Sequence, residues 1–326
     1  MIQVGIIGGT GFTAGELLRL LVHHPEAEIN FVYSHSQPGV RIADVHDDLF
    51  AHPELRFTDV VNPEVDVLFL CLGHGKSRAF LEQHTLSAKT KVIDLGNDFR
   101  LREQATFGDR RFVYGLPELR RETIRTADSI ANPGCFATAI QLALLPLAES
   151  RLLNDTEVHV HAITGATGAG RSLLPTTHFS WRSGNVSVYK AFSHQHLGEI
   201  RQSLTDLQPD GSPTLNFLPI RGNFTRGIFA SAYLDIPPSQ RPFGTLYANF
   251  YQDAPFTHVM ENEVHLKQVV NTNFARLQVQ EVDGKLLIVS VIDNLLKGAS
   301  GQAVQNMNLM FGLPEITGLQ LKATQF

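Results

Sequence analysis

A glycine-rich turn close to the N-terminus constrains the fold of this chain more than any other feature. It follows the short apolar segment Gln3–Gly8, which predicts a buried strand, and it precedes a leucine-rich segment that predicts a helix. Gly9, Gly11 and Ala14 fit the pattern G-x-G-x-x-A, in which glycines let a pyrophosphate approach the backbone and a helix N-terminus binds its charge. Because strand, turn and helix follow in this order, a dinucleotide site is favoured over a merely structural glycine turn. The predicted cofactor contacts in the turn are Gly8, Thr10, Gly11, Phe12 and Thr13.

The second predicted strand, Glu28–Ser34, indicates which nicotinamide cofactor would bind. An NAD site normally has an Asp or Glu near the end of this strand to hold the ribose 2′-hydroxyl. Here the first carboxylate after the strand is Asp44, and Ser34, Ser36 and Arg41 precede it. Hydroxyl groups with a nearby arginine suit a 2′-phosphate, so the sequence predicts NADPH/NADP. The alternative is a surface loop whose polarity has no such meaning.

Composition excludes several classes of protein. The 326 residues are enough for two domains, and 43% hydrophobic with 18% charged residues is an ordinary globular composition. A net charge of −5 without a basic block argues against a nucleic-acid partner. Apolar runs such as Val67–Leu72 are too short to span a membrane, and Met1 leads directly into a strand without a secretion signal. Two cysteines far apart suit a reducing compartment, so we expect a cytoplasmic protein.

Two further apolar segments predict the next strands of a parallel sheet that is buried on both faces. They are Val65–Leu72 and Val92–Leu95, and Cys71 within the first is expected in the core. Arg100 follows the second strand, at the edge where open α/β sheets bind ligands. Its guanidinium suits a phosphate or a carboxylate. The alternative is a surface ion pair, which is the commoner fate of an arginine.

The segment Asn132-Pro133-Gly134-Cys135 predicts a tight turn that delivers a thiol to the start of a helix. Proline fixes φ and glycine allows a close backbone approach, and the apolar run behind them predicts a buried helix that Pro146 could kink. A thiol at a helix N-terminus is stabilised as the thiolate by unpaired N–H groups and by the helix dipole. Cys135 is therefore a candidate nucleophile, although most free cysteines are simply small buried side chains.

Histidines supply the other candidate catalytic groups. His194 and His196 lie just before or at the start of a predicted helix, and an acid/base histidine would supply what a nucleophilic thiol lacks. His159 and His161 fall on one face of a predicted strand and resemble a metal pair. No third ligand accompanies them, so no metal site is predicted.

The second half of the chain predicts a domain of another kind. Thr164–Arg171 is a glycine-rich loop whose N–H groups could bind an anion. Runs of strands after the βα units predict an α+β domain with a largely antiparallel sheet, and the tail contains the predicted helix Gln302–Phe311. The predicted strands are Glu157–Ile163, Asn216–Ile220, Ile228–Ile236, Thr245–Tyr251, Leu277–Glu281 and Lys285–Ile292.

Together these motifs resemble the N-acetyl-gamma-glutamyl-phosphate reductase family over essentially the whole chain. The set is highly specific, although each glycine turn alone is a weak signal. Phe136-Ala137-Thr138 stands where the family usually has Tyr-Pro-Thr, which we expect to alter packing behind the thiol rather than chemistry. Ser180-Trp181-Arg182 matches no family motif. The motifs that carry the resemblance are the G-x-x-G-[FY]-x-x-G turn at Gly8–Gly15, Asp94–Arg100, Tyr114–Glu118, Asn132–Cys135, Thr164–Arg171, His194–Ile200, Arg226–Ile228 and Asp293–Gly298.

The resemblance implies an α/β protein with two domains. Residues 1–134, completed by a C-terminal helix at 299–326, would form a Rossmann dinucleotide-binding domain. Residues 135–298 would form an α+β domain for catalysis and oligomerisation. The resemblance also implies NADPH as cofactor, a small acyl-phosphate substrate, a place in arginine biosynthesis, and a homodimer or homotetramer.

The same resemblance implies roles for individual residues. Cys135 would be the nucleophile, and the pair His194 and His196 would supply the acid/base group, with His196 preferred. The thiolate would attack the acyl phosphate, phosphate would leave, and the resulting thioester would accept a hydride from NADPH. The implied substrate contacts are Arg100 and Arg226, and the further cofactor contacts are Gly168, Asn294 and Lys297.

Three alternatives remain open at the level of sequence. One is an enzyme similar to aspartate-semialdehyde dehydrogenase, against which the His-x-His-x-x-Glu-Ile segment argues. Another is the same chemistry on an N-succinyl or other N-acyl substrate, for which no residue is decisive. The third is an NADP-binding regulator without catalysis, which the intact Cys135 and both histidines disfavour.

Overall fold

The computed structural model describes residues 1–73, 75–236 and 242–324. Within these residues no helix is long and apolar enough to cross a lipid bilayer. The helices are α1 (Phe12–Leu21), α2 (Ser77–Gln83), α3 (Pro117–Arg125), α4 (Cys135–Glu149), α5 (Phe179–Arg182), α6 (His196–Leu207), α7 (Phe243–Phe250) and α8 (Ser300–Met310). The strands are β1 (Ile2–Ile7), β2 (Ala27–Tyr33), β3 (Phe57–Thr58), β4 (Val67–Leu70), β5 (Lys91–Asp94), β6 (Thr106–Phe107), β7 (Arg110–Arg111), β8 (Val113–Tyr114), β9 (Ser129–Ala131), β10 (Glu157–Thr164), β11 (Ser187–Val188), β12 (Thr214–Arg221), β13 (Ile228–Asp235), β14 (Thr257–Met260), β15 (Ala275–Val282) and β16 (Lys285–Ile292).

The chain divides into two compact units. The first comprises Met1–Pro133 and Ala299–Gln320, and the second comprises Gly134–Gly298 with the described residues that follow Gln320. The division predicted from sequence placed the boundary one residue later, between 134 and 135. Each unit contains its own seven-stranded sheet.

The first unit is built on a sheet whose strands all run parallel. Their order is β3-β2-β1-β4-β5-β9-β8, and every neighbouring pair is parallel. β4 and β9 are buried along their whole length, as expected of parallel strands that are covered on both faces. The strand order reverses between β1 and β4, and the glycine turn follows β1 directly. This arrangement confirms the predicted Rossmann sheet, with the turn at the switch point where such sheets bind ligands.

The C-terminal helix belongs to the first unit. α8 packs against α1 and α3, and the Ser300 hydroxyl donates to the Thr13 carbonyl at 2.7 Å. α8 agrees within two residues with the predicted helix Gln302–Phe311, whereas the described remainder of the range 299–326 is not helical, because α8 ends at Met310. Gly312 there adopts a φ of 71°, and Pro314 cannot continue a helix. Residues 325 and 326 of that prediction lie outside the described part of the chain.

The second unit is built on a mixed sheet with the order β11-β12-β10-β13-β16-β15-β14. The long strands β13, β16 and β15 pair antiparallel, whereas β10 with β12 and β14 with β15 are parallel. β10 alternates buried and more exposed residues, since one face of the sheet is covered. α4 covers that sheet at β13 and β16 and also packs against α6. The predicted α+β class with a largely antiparallel sheet is therefore confirmed.

One predicted strand of the second unit is wrong. Thr245–Tyr251 was expected to be a strand because it is rich in aromatic residues, but Phe243–Phe250 forms the helix α7. Phe243, Tyr247 and Tyr251 are all buried, and a spacing of four residues places them on one helical face. The burial of this face outweighs the preference of aromatic residues for strands.

The two tyrosines on this face stabilise α4 around its internal proline. Pro146 lies inside α4 and has no N–H, so the Leu142 carbonyl lacks its normal helical donor. The Tyr251 hydroxyl donates to that carbonyl at 2.6 Å. The Tyr247 hydroxyl donates to the neighbouring Ala143 carbonyl, also at 2.6 Å. Side chains from α7 and the residue after it therefore compensate for the bond that the proline removes.

We expect the Tyr251→Phe change to be costly only while Pro146 is present. Loss of the hydroxyl leaves the buried Leu142 carbonyl without a donor, which destabilises a protein by about 1–3 kcal/mol. In a Pro146→Ala background the new N–H can donate to this carbonyl, so the same change should cost less. Urea unfolding of the four proteins in this double-mutant cycle measures the difference. Tyr247→Phe is the matched control, and equal costs of Tyr251→Phe in both backgrounds would contradict the explanation.

Candidate active site

The thiol of Cys135 lies at the first position of α4 in the second unit. Gly134 precedes it in an extended conformation, with φ −72° and ψ 150°, and serves as the N-cap without a side chain. Cys135 is partly buried, whereas Cys71 is buried. The first-turn N–H groups of a helix have no partner within the helix, so they and the dipole favour a thiolate here.

A buried carboxylate holds the turn that carries this thiol. The Gly134 N–H donates to Glu199 Oε2 at 2.9 Å, and Glu199 is 3% exposed. The other oxygen, Glu199 Oε1, lies 3.9 Å from His196 Nε2. One carboxylate on α6 therefore faces both the backbone next to the nucleophile and the imidazole of the preferred acid/base residue.

Glycine at position 134 is required by the closeness of the imidazole. A Cβ atom on Gly134 would lie 2.2 Å from His196 Nε2, far inside any contact distance. Gly298 approaches from elsewhere in the same unit, where a Cβ atom would lie 2.7 Å from the Cβ of Cys135. These two glycines leave the space in which the imidazole and the thiol pack.

The two histidines have different surroundings. The backbone N–H of His196 donates to His194 Nδ1 at 3.2 Å, so this ring nitrogen acts as an acceptor and the neutral ring carries its proton on Nε2. The two rings are arranged edge to face, with centroids 4.5 Å apart and an interplanar angle of 74°. His196 Nε2 lies 3.9 Å from the Glu199 carboxylate. This geometry favours His196 as the acid/base residue.

Phe136 packs behind the histidine pair. Its ring meets His194 edge to face at 5.5 Å and His196 at 6.3 Å, and it also contacts Phe217 at 5.3 Å. Phe136 is almost completely buried. Phe136 therefore packs against the two imidazoles, and the expected change in packing behind the thiol stays a prediction.

Two residues beside the histidine pair, Tyr189 and Arg221, were not identified as site residues from the sequence. Tyr189 lies 5.8 Å from the His194 ring, and the Arg221 guanidinium lies 4.7 Å above the Tyr189 ring. Burial raises the pKa of Tyr189 to about 12; the charge of Arg221 opposes this rise and that of Cys135 adds to it. Arg221 could have been noticed because it ends β12, which pairs with β10, the strand that leads into the glycine-rich loop.

Arg226 and Asn294 have structural contacts within the second unit. The Arg226 guanidinium donates from Nε and Nη2 to the buried Asp293 carboxylate, each at 3.1 Å. Asn294 accepts from the Gly227 N–H at 2.7 Å and donates to the Thr167 hydroxyl at 3.1 Å. These contacts favour a structural role for both residues. The predicted contact of Arg226 with the substrate and that of Asn294 with the cofactor stay predictions.

Lys297 and Gly168 also lie in the second unit. Lys297 is completely buried, with its ammonium 6.0 Å from the centre of the Phe256 ring, so a cofactor contact would require it to move. Gly168 lies in a short 3-10 turn, and its N–H donates to the Gly165 carbonyl. The N–H groups of residues 165–168 all donate to backbone carbonyls, which disfavours anion binding by this part of the loop, and the cofactor contact of Gly168 stays a prediction.

Arg100, in the first unit, holds the segment that leads to the cysteine. Its Nε donates to the Asn132 carbonyl at 2.9 Å, and its Nη2 donates to the Leu95 carbonyl at 3.0 Å. The Asn132 amide donates in turn to the Ala299 carbonyl and accepts from Asn306. Arg100 is 5% exposed, so the structure favours a positioning role, and its predicted contact with substrate stays a prediction.

The glycine turn of the first unit has the geometry of a pyrophosphate cradle. Gly8 adopts a φ of 84°, and a Cβ atom there would lie 2.7 Å from the Cys71 carbonyl. Gly11 is the N-cap of α1, and a Cβ atom there would meet nothing closer than 3.8 Å. No acidic residue lies in the first turn, where Phe12 and Thr13 begin the helix. Thr10 completes the turn between Gly8 and Gly11, so a phosphate would find space and the positive end of a helix.

The predicted NADP contacts after β2 lie in the same unit. The Ser34 hydroxyl is buried and lies 3.5 Å from the hydroxyl of the exposed Ser36. Arg41 is exposed and pairs with Asp44 at 2.6 Å, which raises the pKa of the guanidinium. Exposed pairs of this kind are weak, so a 2′-phosphate could compete for the arginine. The residues present fit NADP.

Asp94 at the end of β5 adds a buried acceptor that the sequence did not single out. Its Oδ1 accepts from the Ser77 hydroxyl at 2.6 Å and from the Gly96 N–H at 2.9 Å. Oδ2 is buried and has no hydrogen-bond partner among the described residues. Burial raises the pKa of Asp94 to about 6, although both hydrogen bonds lower it. A hydroxyl or amide of a bound dinucleotide would satisfy this oxygen.

Metal chemistry is not indicated in the described part of the chain, where no cluster of three or more histidine, cysteine or acidic side chains is arranged to hold an ion. His159 instead stacks on Tyr233 at 5.0 Å, and His161 meets the same ring edge to face at 6.0 Å.

Comparisons with known proteins identify relatives of the whole chain. The family model of the semialdehyde dehydrogenase NAD binding domain matches residues 3–127, and that of the semialdehyde dehydrogenase dimerisation domain matches residues 135–294. N-acetyl-gamma-glutamyl-phosphate reductases of Christiangramia forsetii and Flavobacterium johnsoniae are 58% and 55% identical over the full length of both chains. Aspartate semialdehyde dehydrogenase II of Vibrio cholerae shares the fold, with a TM-score of 0.71 at 16% identity, and the match covers 96% of this chain and 98% of that one.

We expect Gly134→Ala to lower catalytic activity about 10²-fold, the usual consequence of a displacement of about 1 Å in an active site. The added methyl group would overlap His196 Nε2, so either the imidazole or the thiol-bearing turn must shift. Steady-state kinetics measure the loss, and the thermal unfolding midpoint shows whether the fold persists.

Gly244→Ala is the matched control for this change. Gly244 lies in α7, and a Cβ atom there meets nothing within 4 Å. Full activity of Gly134→Ala would show that the close approach of His196 is unimportant for catalysis.

Proposed function

Because the chain belongs to the N-acetyl-gamma-glutamyl-phosphate reductases among the semialdehyde dehydrogenases, we propose that it reduces N-acetyl-gamma-glutamyl phosphate with NADPH. The products would be N-acetyl-glutamate 5-semialdehyde, phosphate and NADP, in a step of arginine biosynthesis. The observation that carries the proposal is the arrangement of Cys135, His196 and Glu199 around the turn at Gly134. An aspartate-semialdehyde dehydrogenase is not favoured, since that likeness is one of fold at 16% identity.

Cys135 would form a covalent bond with the substrate. Its thiolate attacks the carbonyl carbon of the acyl phosphate, the carbon–oxygen bond to phosphate breaks, and a thioester remains. The N-terminus of α4 supports this step twice, because its N–H groups stabilise both the thiolate and the oxyanion of the tetrahedral intermediate. NADPH, when bound, supplies the hydride that converts the thioester carbonyl to a thiohemiacetal.

His196 would move the proton in both directions. It protonates the oxygen that develops negative charge on reduction, and it removes that proton when the thiohemiacetal collapses to aldehyde and thiolate. Glu199 stabilises the protonated imidazole, whose Nε2 lies 3.9 Å from its carboxylate. His194, with Nδ1 already accepting from the backbone, would bind the substrate or keep the pocket in shape.

Cofactor binding and oligomeric state are assigned to the two units separately. In the first unit, the glycine turn would bind the pyrophosphate of NADPH, and Ser34, Ser36 and Arg41 would bind its 2′-phosphate. The second unit matches a dimerisation domain, so the protein is a homo-oligomer; we propose a homodimer or homotetramer, which light scattering distinguishes. Two free cysteines support a cytoplasmic location.

A spectrophotometric assay in the reverse direction tests the function. N-acetyl-glutamate 5-semialdehyde, phosphate and NADP should give NADPH, and omission of phosphate should abolish the signal. The value of kcat/KM should be higher for NADP than for NAD, because no carboxylate stands at the end of β2 to hold a free 2′-hydroxyl and the first one after it, Asp44, pairs with Arg41. A reaction that needs no phosphate would exclude the proposed chemistry, and a preference for NAD would refute the role of Ser34 to Arg41.

The Cys135→Ser variant is the matching test of the nucleophile. It should lose nearly all reduction and keep its affinity for NADPH, because the cofactor residues are untouched. Mass spectrometry of the parent enzyme, quenched without NADPH, should find the acyl group on the peptide that contains Cys135. The peptide that contains the buried Cys71 is the internal control.

The two histidines should separate kinetically. We expect His196→Asn to lower kcat by ~10²–10⁴-fold, the usual contribution of general acid–base catalysis. His194→Asn should act mainly on the KM of the substrate, since loss of uniform binding leaves kcat unchanged. Steady-state kinetics against pH measure both, and the group that titrates near neutrality should disappear or shift only in the His196 variant. A kcat loss confined to His194→Asn would reverse the assignment.

A further inference from the structure

Arg221 is a cation in the unit that carries the thiol, and it has no acidic partner among the described residues. Its Nη1 donates to the Ala166 carbonyl at 3.3 Å, and its guanidinium lies 4.7 Å from the centre of the Tyr189 ring. Neither partner is charged, and none of the described carboxylates forms an ion pair with Arg221. Arg226 in the same unit is different, because the buried Asp293 neutralises it. The positive charge of Arg221 is therefore available to a ligand.

A second guanidinium increases the positive charge around Arg221. Arg182 is buried and uses all five N–H groups, which donate to the carbonyls of Thr176, Asn185 and Arg221 and to the Ser187 hydroxyl. Burial lowers the pKa of Arg182, and the charge of Arg221 lowers it further. Two neighbouring cations without a carboxylate create a local potential that attracts an anion.

The surroundings of Arg221 connect it to the catalytic residues. The Arg221 guanidinium lies over the Tyr189 ring, and the charges of Arg221 and Cys135 act on the pKa of Tyr189 in opposite directions, the first lowering it and the second raising it. The Tyr189 ring contacts His194, whose ring contacts His196. The backbone beside Tyr189 is strained, since Lys190 has a φ of 45°, and such strain is concentrated at functional sites. Arg221 is therefore linked through the Tyr189 ring to the histidine pair of the candidate active site.

We propose that Arg221 binds an oxyanion of the substrate while Cys135 attacks its acyl carbon. This inference rests on the proposed function, in which the substrate carries a carboxylate and a phosphate. A planar guanidinium suits either group through paired hydrogen bonds. Tyr189 holds the guanidinium plane in place by stacking. Arg221 thereby takes the substrate-binding role that the sequence suggested for Arg226.

Reverse kinetics identify which oxyanion is bound, because phosphate and semialdehyde are then separate substrates. Arg221→Met should raise one KM by ~10–100-fold, the value of a lost hydrogen bond to a charged group. A higher KM for phosphate assigns the phosphate, and a higher KM for the N-acetyl semialdehyde assigns the α-carboxylate. A higher KM for the N-succinyl semialdehyde alone assigns a carboxylate on the acyl group. Arg221→Lys should recover part of the loss, because it retains the charge.

Arg201→Met is the matched control, since Arg201 is an exposed arginine on α6 of the same unit. It should leave every KM unchanged. Thermal unfolding midpoints of all variants show whether the fold is retained, and Arg221→Lys keeps the test valid if Arg221→Met unfolds.

Alkylation of Cys135 tests Arg221 without any substrate. Iodoacetate carries a carboxylate, whereas iodoacetamide is a neutral reagent of similar size. The ratio of their rates should fall about tenfold in Arg221→Met, the effect of ~1.4 kcal/mol of lost attraction, and peptide mapping confirms the labelled cysteine. An unchanged ratio together with unchanged KM values overturns the inference. A parent enzyme without phosphate-dependent activity would refute the proposed function instead, while the alkylation ratio would still report on Arg221.

Discussion

The hydrogen bond from the Gly134 N–H to the buried Glu199 carboxylate is the interaction on which the catalytic arrangement depends. A carboxylate that is 3% exposed loses most of its hydration, so it must be compensated by donors and by positive charge. The donor here is the backbone next to the nucleophile, and the imidazole of His196 lies beside the other oxygen. The same group therefore holds the turn that carries the thiol and lies beside the imidazole of the proposed acid/base residue.

This arrangement is possible only because side chains are missing at two positions. Gly134 lets the imidazole approach the turn, and Gly298 lets a second segment approach the Cβ atom of Cys135. Within Asn132-Pro133-Gly134, the glycine is therefore needed to leave space for the imidazole as well as to form the turn. Pro146 further along α4 has the opposite effect, since it removes a donor that Tyr251 replaces from another helix. The start of α4 is thus held by Glu199 and the turn before Pro146 by Tyr251, and both residues are distant from α4 in sequence.

The sequence predicts well whatever is decided by local pattern. Continuous apolar strands with glycine turns specify the parallel sheet, and the position of Cys135 after Pro133 and Gly134 specifies a thiol at a helix start. Prediction fails where tertiary contacts decide. The aromatic segment Thr245–Tyr251 has the composition of a strand, yet burial of Tyr247 and Tyr251 against α4 makes it helical. The predicted helix Gln302–Phe311, by contrast, agrees within two residues with α8 (Ser300–Met310), which ends just before Gly312.

The arginines show most clearly why a motif does not specify a role. Arg100, Arg221 and Arg226 have the same side chain, and the local sequence does not reveal which partners the fold gives to each. Their partners differ: Arg100 donates to backbone carbonyls, Arg226 to a buried carboxylate, and Arg221 to a carbonyl beside an aromatic ring. A guanidinium that is neutralised by Asp293 has little attraction left for an anionic substrate, whereas one that stacks on a neutral ring keeps its charge. The capacity to bind a ligand is therefore set by what the fold places around each cation, and this information is absent from the spacing of the residues.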